Sequence, residues 1–425
     1  MKIIVAHPAQ QHSYRLAAAL KKSGQLYKYV TTVYYKPHSL TKIVAAILPG
    51  KFKTKASHRR CAELEDDDVI QFCEGEGLLK LLALNTPILR KKYRQIKYHT
   101  ADRFAKKVAD YALAHKVDAV ICYDDCSPLL FEQLRDTAPH ILRIMDMSAA
   151  NLLYMRAIYE DDLKMAPTFS SILLNERRSV WDERNVDRTK RELEATERFL
   201  VASEFVRDSL LFSGIKENQI SICPYGVDVE RFAQKEYPPV NQLKSRAIRF
   251  VYVGGVKELK GIYYLLEAFL QIPKEQAELT VVGGCNLEME ELKKYVHRVR
   301  FTGSVLHEKM PELLKENDVF VFPSLGEGQS LSVLEAAACG LPLIVSVNSG
   351  VGKIVEKMGA GFLIPIQSID AIREKIEFFI QHPGQIISMG NIAREMALRY
   401  TWAAYDARIK DWAEKAEANT HEYKP

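Results

Sequence analysis

The chain has 425 residues, of which 47% are apolar and 27% are charged, values typical of a soluble globular protein with two ordinary domains. No apolar run approaches about 18 residues, and the run after Met1 is too short for a secretory signal, so neither a membrane-spanning helix nor secretion is expected. Seven cysteines, mostly inside apolar runs, are consistent with free thiols in a reducing cytoplasm.

Positive charge is concentrated in the first part of the chain. Residues 1–120 hold 22 Lys and Arg against 10 Asp and Glu, a net of +12, so the total of +5 leaves −7 for the remainder. The excess lies in residues 36–60, around an apolar run at 43–48, and in residues 90–107. This combination suits an anionic membrane surface, although a solvated helix face has the same composition. No nucleic-acid-binding module accompanies the basic residues, so nucleic acid is not an expected partner.

The first half of the chain alternates short apolar runs with helical patterns. The apolar runs at 3–6, 118–122 and 141–145 are separated by helical patterns at Tyr14–Lys22 and Ala101–His115. Strands that alternate with helices predict a parallel sheet of the doubly wound type.

Polar residues follow these predicted strands at the carboxyl edge, where ligands of open parallel sheets bind. His7 and His12 follow the first strand, and each is either a proton acceptor or a capping polar group. We favour a functional role for one of the two. Asp124 and Asp125 follow the strand at 118–122 and are suited to orient a ligand hydroxyl.

A second series of strands begins after a predicted inter-domain linker at Tyr237–Pro239. Its predicted strands lie at 249–253, 278–282, 299–301, 319–322, 343–346 and 362–364. We therefore predict an N-terminal domain over residues 1–225 and a C-terminal domain over residues 240–400.

A glycine turn at Gly254 and Gly255 leads from the strand at 249–253 towards Lys260, at the start of a helix. The helix dipole disfavours a cation at this end, by roughly 0.3–1 kcal/mol. The placement is reasonable if a phosphate group lies between the lysine and the free amides. A solvated lysine is the alternative.

The segment at 319–346 is the most informative part of the sequence. It reads as a buried strand, a glycine-bearing loop, a short helix, a glycine stop and a second buried strand. Glu327 and Glu335 bracket the loop and the helix, and Glu335 shares the apolar stripe of Leu331 and Ala338. An inward-facing carboxylate costs several kcal/mol unless it is hydrogen-bonded. A ligand hydroxyl and a basic side chain at a domain edge are the two candidate partners.

The two glutamates, Lys260, the Gly-Val-Asp at 226–228 and the Ala-Cys-Gly-Leu-Pro at 338–342 together resemble a known family. The family is that of retaining glycosyltransferases of the GT-B fold, family four (glycosyl transferases group 1), and the resemblance covers roughly residues 195–412. It implies two facing doubly wound domains and a C-terminal helix, at about 402–425, that crosses back to the first domain.

The resemblance also implies roles for residues on the donor side. In the family the first glutamate contacts the transferred sugar and the second binds the ribose hydroxyls, which implies these roles for Glu327 and Glu335. Lys260 and the loop amides would hold the diphosphate. Gly255 stands where the family has an arginine, and Lys257 is the candidate substitute. The further donor-side positions that the resemblance implies are Gly255, Gly328, Gln329, Ser330, Leu331 and Thr302.

On the acceptor side, Asp146 matches the Asp of a His-Asp pair in the family, whereas Met145 replaces the His. The predicted catalytic residues are Glu327, Asp146 and His7, with His12, Asp124 and Asp125 on the acceptor side. Paired Asp residues also occur in metal-binding glycosyltransferases of the other major fold, but the surrounding pattern differs here. We therefore expect no essential metal, and no cofactor besides the nucleotide-sugar donor.

The sequence thus predicts a retaining glycosyltransferase of the hexosyl- or N-acetylhexosaminyl-transferase type, in the cytoplasm or peripheral on the inner face of the membrane. Its donor would be a nucleotide diphosphate sugar, with a UDP-sugar favoured, and its acceptor a glycan or a lipid-linked glycan in cell-surface polysaccharide assembly. Two alternatives remain open. One is a non-catalytic nucleotide-sugar-binding partner subunit, which the Gly255 and Met145 departures favour. The other is a different GT-B activity such as a sugar-nucleotide epimerase.

Overall fold

A computed structural model of the chain describes residues 1–9, 12–47, 50–124, 126, 128–165, 181–285 and 289–422. Its strands form two parallel sheets, one of seven strands and one of six. The strands are short and mostly buried, as expected where helices cover both faces of a parallel sheet. The predicted architecture of two doubly wound sheets is confirmed.

The first sheet uses residues from the start of the chain up to Ile222, and its strands pair in the order β3-β2-β1-β4-β5-β6-β7. The strands are β1 (Ile3–His7), β2 (Leu26–Thr31), β3 (Val69–Gln71), β4 (Ala119–Tyr123), β5 (Leu142–Met147), β6 (Arg198–Val201) and β7 (Ile220–Ile222).

The second sheet begins at Ile248, and its strands pair in the order β10-β9-β8-β11-β12-β13. The strands are β8 (Ile248–Val253), β9 (Ala277–Val282), β10 (Val299–Gly303), β11 (Val319–Phe322), β12 (Leu343–Ser346) and β13 (Gly361–Ile364).

Both sheets reverse their strand order once, between β1 and β4 in the first sheet and between β8 and β11 in the second. Loops that leave such a reversal turn to opposite faces of the sheet, and the crevice between them is where ligands of open α/β sheets bind. The Lys260 turn follows β8 and the Glu327 loop follows β11. The topology therefore places two of the predicted donor-binding segments at the reversal point of the second sheet.

Helices cover both sheets, and we call each sheet with its helices a unit. The helices of the first unit are α1 (Ser13–Lys22), α2 (Leu40–Ile47), α3 (Gly50–Ser57), α4 (Glu74–Asn85), α5 (Pro87–Arg90), α6 (Tyr93–His115), α7 (Pro128–Thr137), α8 (Leu152–Met165), α9 (Glu183–Ala195) and α10 (Glu204–Phe212). The later helices are α11 (Val240–Lys244), α12 (Ile262–Leu270), α13 (Met289–Leu292), α14 (Met310–Lys315), α15 (Leu331–Ala338), α16 (Gly352–Met358), α17 (Ile369–Gln381), α18 (Gly384–Leu398) and α19 (Trp402–Glu422). In the described part of the chain, none of these helices combines the length and the apolar character needed to cross a bilayer.

The last helix, α19, returns to the first sheet, as the sequence predicts. Tyr405, Ile409 and Trp412 are buried in the same hydrophobic cluster as β1 and α1. Asp406 accepts a hydrogen bond of 2.6 Å from the ammonium of Lys22 on α1.

The chain therefore crosses between the two units twice, and the two crossings touch. Val227 pairs with Thr401 as an isolated parallel bridge, and the Val227 amide donates to the Tyr400 carbonyl at 2.8 Å. Gly226 makes this approach possible, because a Cβ atom on it would lie 2.4 Å from the Trp402 nitrogen. The two crossing segments are thus joined to each other by backbone contacts.

A buried carboxylate fixes the start of β11. Asp318 accepts two hydrogen bonds from the Arg246 guanidinium, at 2.6 and 2.9 Å, and one from the Arg249 amide at 2.9 Å. The ammonium of Lys235, which is also buried, lies 3.6 Å from the same carboxylate. This cluster ties the segment between the two sheets to the strand that carries the Glu327 loop.

Candidate functional site

The reversal point of the second sheet brings Lys260 and Glu327 into direct contact. The Lys260 ammonium donates a hydrogen bond to the Glu327 carboxylate, and the Ser324 hydroxyl donates to the same oxygen at 3.0 Å. The sequence predicts each residue as a donor contact but not this ion pair. Both side chains are half-buried, so the pair is close to solvent and open to exchange with a ligand.

A glycine allows these two loops to meet. Gly261 directly follows Lys260 and has φ +64°, in the left-handed region, where residues with a Cβ are strained. A Cβ atom on Gly261 would also lie 2.0 Å from the Pro323 carbonyl oxygen at the start of the Glu327 loop. The sequence shows a glycine here, and the structure gives its physical reason.

The end of β12 supports the Glu327 loop. The Glu327 amide donates to the Asn348 carbonyl at 2.9 Å, and the Asn348 side-chain amide donates to the Leu325 carbonyl at 2.8 Å. The Ser346 hydroxyl donates to the Ser324 carbonyl at 2.6 Å. The backbone around Glu327 is therefore held in place before any ligand binds, which is the arrangement that electrostatic preorganisation requires.

The next part of the loop contacts the first unit. The Ser203 hydroxyl donates to the Gly328 carbonyl, and a Cβ atom on Gly328 would lie 1.8 Å from the Ser148 carbonyl oxygen. Ser203 also caps α10 by accepting a hydrogen bond from the Val206 amide. Sequence reasoning missed this contact, because Ser203 and Gly328 lie 125 residues apart in the chain.

Of the remaining predicted loop residues, Gln329 is the one with the most specific contacts. Its buried side chain accepts a hydrogen bond from the Tyr225 amide at 2.6 Å and donates to the Tyr225 carbonyl at 3.5 Å. The Ser330 hydroxyl lies 3.1 Å from that of Ser332, and Leu331 packs against the cores of both units. The side chains of Gln329 and Leu331 therefore lie at the junction between the units, whereas that of Ser330 contacts its own helix.

Glu335 lies on α15, largely buried, and pairs with a histidine. Its Oε1 lies 2.8 Å from Nε2 of His307, in the turn that follows β10. Burial raises the pKa of the Glu335 carboxyl, while His307 and the nearby Arg231 act in the opposite direction. The sequence left two candidate partners for Glu335, a ligand hydroxyl and a basic side chain, and in the structure the partner is a basic side chain. His307 was missed because it lies 28 residues away in no recognisable motif.

The other two predicted donor-side positions lie at the ends of β8 and β10. The Thr302 hydroxyl donates to backbone carbonyls, at 3.0 Å to Gly303 and 3.4 Å to Val281. The atoms nearest to a Cβ atom on Gly255 would be those of the Lys257 side chain, at 3.6 Å and beyond. Gly255 therefore has room for a larger residue, and Lys257 is the cation beside it.

A second group of polar residues lies at the carboxyl edge of the first sheet. The His7 ring packs edge-on against Tyr123 at 4.8 Å, and its Nδ1 accepts a hydrogen bond from the Ala9 amide at 2.8 Å. The His12 ring lies 4.5 Å from that of Tyr225, and burial lowers the pKa of His12. His12 is at the N-cap position of α1, but its side chain makes no capping hydrogen bond.

Asp146 is at the centre of this group and is buried at the end of β5. Burial raises the pKa of its carboxyl from 3.8 to about 7, the Tyr123 phenol acts in the opposite direction, and the charge of Asp124 adds to the rise. Burial raises the pKa values of Tyr225, from the crossing segment, and Tyr405, from α19, and the charge of Asp146 adds to that rise. Asp125 lies outside the described residues. The sequence missed the three tyrosines, because five distant segments of the chain supply this group.

The raised pKa of Asp146 predicts how stability depends on pH. Since folding raises this pKa from 3.8 to about 7, the native state binds the proton more tightly than the unfolded chain. The carboxylate therefore lowers stability progressively as pH rises from about 4 to about 7, and the full penalty applies above that range. Asp146→Asn should raise the melting temperature by several degrees at pH 8 and have little effect at pH 4, as measured by circular dichroism. An equal effect at both pH values would contradict this assignment.

A cavity of about 540 Å³ lies between the two units. Residues from both sides line it, among them Ser203, Glu204, Gln329 and Asn348. Lys353 on α16 also lines it and reaches Glu204 at 3.2 Å and Asp208 at 3.3 Å. Neither Lys260 nor Glu335 lines this cavity, so it is a separate part of the cleft, which the Gln329 loop borders.

Among the residues that the structure describes, no three His, Cys, Asp or Glu side chains are grouped closely enough to hold a metal ion. The expectation that activity needs no metal and no further cofactor stays a prediction.

Comparisons with known proteins agree with the resemblance seen in the sequence. Residues 247–382 match the family model described as glycosyl transferases group 1. A galactosyltransferase of Escherichia coli, named UDP-Gal:alpha-D-GlcNAc-diphosphoundecaprenol alpha-1,3-galactosyltransferase, is 34% identical over 171 residues, which cover 36% of this chain and 43% of that protein. The chain spans about half the length of the curated relatives it matches, for example 43% and 58% of two of them.

Solved structures match over nearly the whole chain. Sucrose-phosphate synthase from Thermosynechococcus elongatus superposes with a TM-score of 0.70 at 20% identity, covering 98% of this chain and 99% of that one. Anabaena HepE in complex with UDP-glucose superposes with a TM-score of 0.62 at 14% identity, covering 98% and 100%. At these identities the superpositions show the fold alone, and they confirm the predicted GT-B fold. Residues 247–382 are therefore similar to the glycosyl transferases group 1 family, and the chain as a whole has the GT-B fold.

Proposed function

We propose that this chain is a retaining glycosyltransferase of the hexosyl- or N-acetylhexosaminyl-transferase type. Its donor would be a UDP-sugar, and its acceptor a glycan or lipid-linked glycan in cell-surface polysaccharide assembly. The observation that carries the proposal is the Lys260–Glu327 pair at the reversal point of the second sheet. The pair lies in the crevice where ligands of such sheets bind. Its lysine is suited to bind phosphate, and its glutamate is suited to bind sugar hydroxyls.

The ion pair suggests how the donor enters. In the structure the Glu327 carboxylate forms an ion pair with the Lys260 ammonium. A diphosphate carries more negative charge than one carboxylate, so the ammonium would move to the phosphate oxygens when the donor binds. Glu327 would then be free to accept hydrogen bonds from sugar hydroxyls. Lys260 would also stabilise the charge that builds on the leaving diphosphate.

Glu335 and His307 provide a second contact in this proposal. His307 occupies one carboxylate oxygen of Glu335, which leaves Oε2 to accept hydrogen bonds from the ribose hydroxyls. The pairing gives this largely buried carboxylate a hydrogen-bond partner within the protein.

The acceptor would bind at the carboxyl edge of the first sheet, near Asp146, His7 and His12. Retention of configuration is taken from the resemblance to the family, and in this proposal the departing phosphate takes the proton of the acceptor hydroxyl. Closing the cleft would exclude water and limit hydrolysis of the donor.

The donor and acceptor classes are supported by the names of similar proteins. The Escherichia coli relative is named for UDP-Gal and for a diphosphoundecaprenol-linked sugar, and Anabaena HepE was solved with UDP-glucose. A lipid-linked acceptor, together with the positive charge of residues 1–120, supports the proposal that the enzyme acts at the inner face of a membrane.

The donor can be identified by thermal shift against a panel of UDP-, GDP-, ADP- and dTDP-sugars. A ligand present at a hundredfold excess over its Kd stabilises the native state by about 2.7 kcal/mol, so the true donor should raise the melting temperature clearly. Lys260→Ala should remove most of that rise, whereas Lys309→Ala, an exposed lysine on the turn after β10, should keep it. If no nucleotide sugar shifts the melting temperature, the proposal fails.

A non-catalytic partner subunit is the second candidate, and Gly255 and Met145 favour it, because the family places an arginine and a histidine at these positions. It predicts the same thermal shift with no transfer of radiolabelled sugar to a membrane extract. A sugar-nucleotide epimerase would instead convert the donor without any acceptor.

A further inference from the structure

Helix α2 has its apolar side facing solvent. Thr41 and Ala45 are its buried residues. Leu40, Ile43 and Ile47 form a stripe at spacings of three and four, and they are 42%, 61% and 82% exposed. An ordinary surface helix of a globular protein has the opposite arrangement, with its apolar stripe towards the core.

Two neighbouring helices extend this apolar surface. The Glu74 carboxylate at the start of α4 accepts hydrogen bonds of 2.6 Å from both the Thr41 amide and the Thr41 hydroxyl, which ties α2 to α4. Leu82 on α4 is 55% exposed, and Ile88 on the adjoining α5 is 85% exposed. Exposed apolar side chains grouped in this way mark an interaction site more often than single exposed ones do.

Apart from Glu74 and Glu76 in the first turn of α4, these helices lie in stretches with no acidic residue. Residues 40–60 and residues 77–101 each contain six Lys and Arg, and neither stretch contains Asp or Glu. Lys42, Arg90, Lys91 and Lys92 are exposed beside the apolar side chains. A partner for this surface must therefore offer both negative charge and an apolar phase.

We propose that the exposed faces of α2, α4 and α5 dock on a lipid bilayer that contains anionic lipid. We call this the α2–α5 surface, defined by Leu40, Ile43, Ile47, Leu82 and Ile88 with Lys42, Arg90, Lys91 and Lys92. The aliphatic side chains enter the boundary between head groups and acyl chains, while the cations contact lipid phosphates. A bilayer with anionic head groups supplies both requirements, negative charge at its surface and an apolar phase beneath it.

The docking proposal extends the proposed function, since a lipid-linked acceptor would lie in the same bilayer. Its test needs neither donor nor acceptor, so a failure of sugar transfer and a failure of docking are separate results. The full chain is mixed with sedimentable vesicles of phosphatidylcholine alone, or of phosphatidylcholine with about one-third phosphatidylglycerol, and the bound fraction is measured after centrifugation.

Binding is expected on the anionic vesicles and to weaken as salt is raised. The double variant Ile43→Asp with Ile47→Asp should bind at least about tenfold more weakly, because it removes two inserted side chains and adds negative charge. Lys91→Glu with Lys92→Glu should weaken binding to anionic vesicles about tenfold or more, since each surface cation contributes about fivefold in affinity.

The matched control is Val296→Asp with Leu398→Asp, which makes the same chemical change at two exposed positions of the second unit, 53% and 50% exposed. It should bind vesicles like the unaltered chain, and melting curves establish that all variants are folded. Equal binding by the Ile43/Ile47 variant and the control would overturn the proposal, as would no binding to anionic vesicles. A third result would also overturn the docking proposal: the chain self-associates, and only the Ile43/Ile47 variant abolishes that self-association. It would show that a second copy of the chain covers this surface.

Discussion

Replacing Glu327 with glutamine is expected to lower the turnover of sugar transfer by about 10²–10³-fold, the usual cost of removing one preorganised electrostatic contact from a reacting centre. Glu327 is paired with Lys260 and Ser324 and held by the Asn348 carbonyl, so its position is fixed before the donor binds. Glutamine keeps the shape of the side chain but loses the charge. It therefore accepts weaker hydrogen bonds from sugar hydroxyls and no longer forms an ion pair with the Lys260 ammonium. The measurement is transfer of radiolabelled sugar from the donor identified by thermal shift.

The matched control is Glu312→Gln, which makes the same chemical change at an exposed position of α14. Its turnover should equal that of the unaltered chain. Donor binding by the Glu327→Gln protein should be weakened much less than its turnover, because the proposed contact strengthens as the sugar leaves. Full activity of Glu327→Gln would rule out the assigned role and leave the ion pair as a purely structural contact.

Replacing Asp318 with alanine is expected to lower the free energy of unfolding by about 3–5 kcal/mol, the range found when one partner of a buried ion pair is removed. Asp318 is buried, and its carboxylate receives hydrogen bonds from the Arg246 guanidinium and the Arg249 amide. The variant leaves the buried ammonium of Lys235 without this carboxylate beside it. The measurement is urea unfolding followed by far-ultraviolet circular dichroism.

Asp370 offers a matched control on the surface. It forms an ion pair of 3.0 Å with Arg373, three residues along α17, but its side chain is 83% exposed. Exposed pairs contribute little to stability, so Asp370→Ala should leave the unfolding midpoint nearly unchanged. Similar losses for the two variants would show that burial does not set the strength of the Asp318 cluster.

The second sheet was predictable from sequence because its strands are buried on both faces. Such strands appear as separate apolar runs, and the runs predicted at 319–322 and 343–346 coincide with β11 and β12. The runs at 249–253 and 362–364 fall within one residue of β8 and β13. In the first sheet β3 has only three residues, too few to give a periodic signal, and it was not predicted.

The residues of the candidate site were predictable one at a time, and their partners were not. Lys260 and Glu327 were recognised from the local motifs around them, but their ion pair depends on the order of β8 and β11 in the sheet. His307 reaches Glu335 from a loop with no motif of its own. Contacts of this kind arise from tertiary structure, so spacing within one segment does not reveal them.

The paired crossings at Val227 and Thr401 restrict how the cleft can open. A single flexible connection would let one unit rotate about the other in any direction. Two backbone segments hydrogen-bonded side by side instead favour rotation about one axis that passes through them. Opening then becomes a swing with a single degree of freedom, and displacement grows with distance from that axis. Loops far from the hinge should therefore travel furthest between the open and closed forms, while the backbone beside Gly226 stays nearly still.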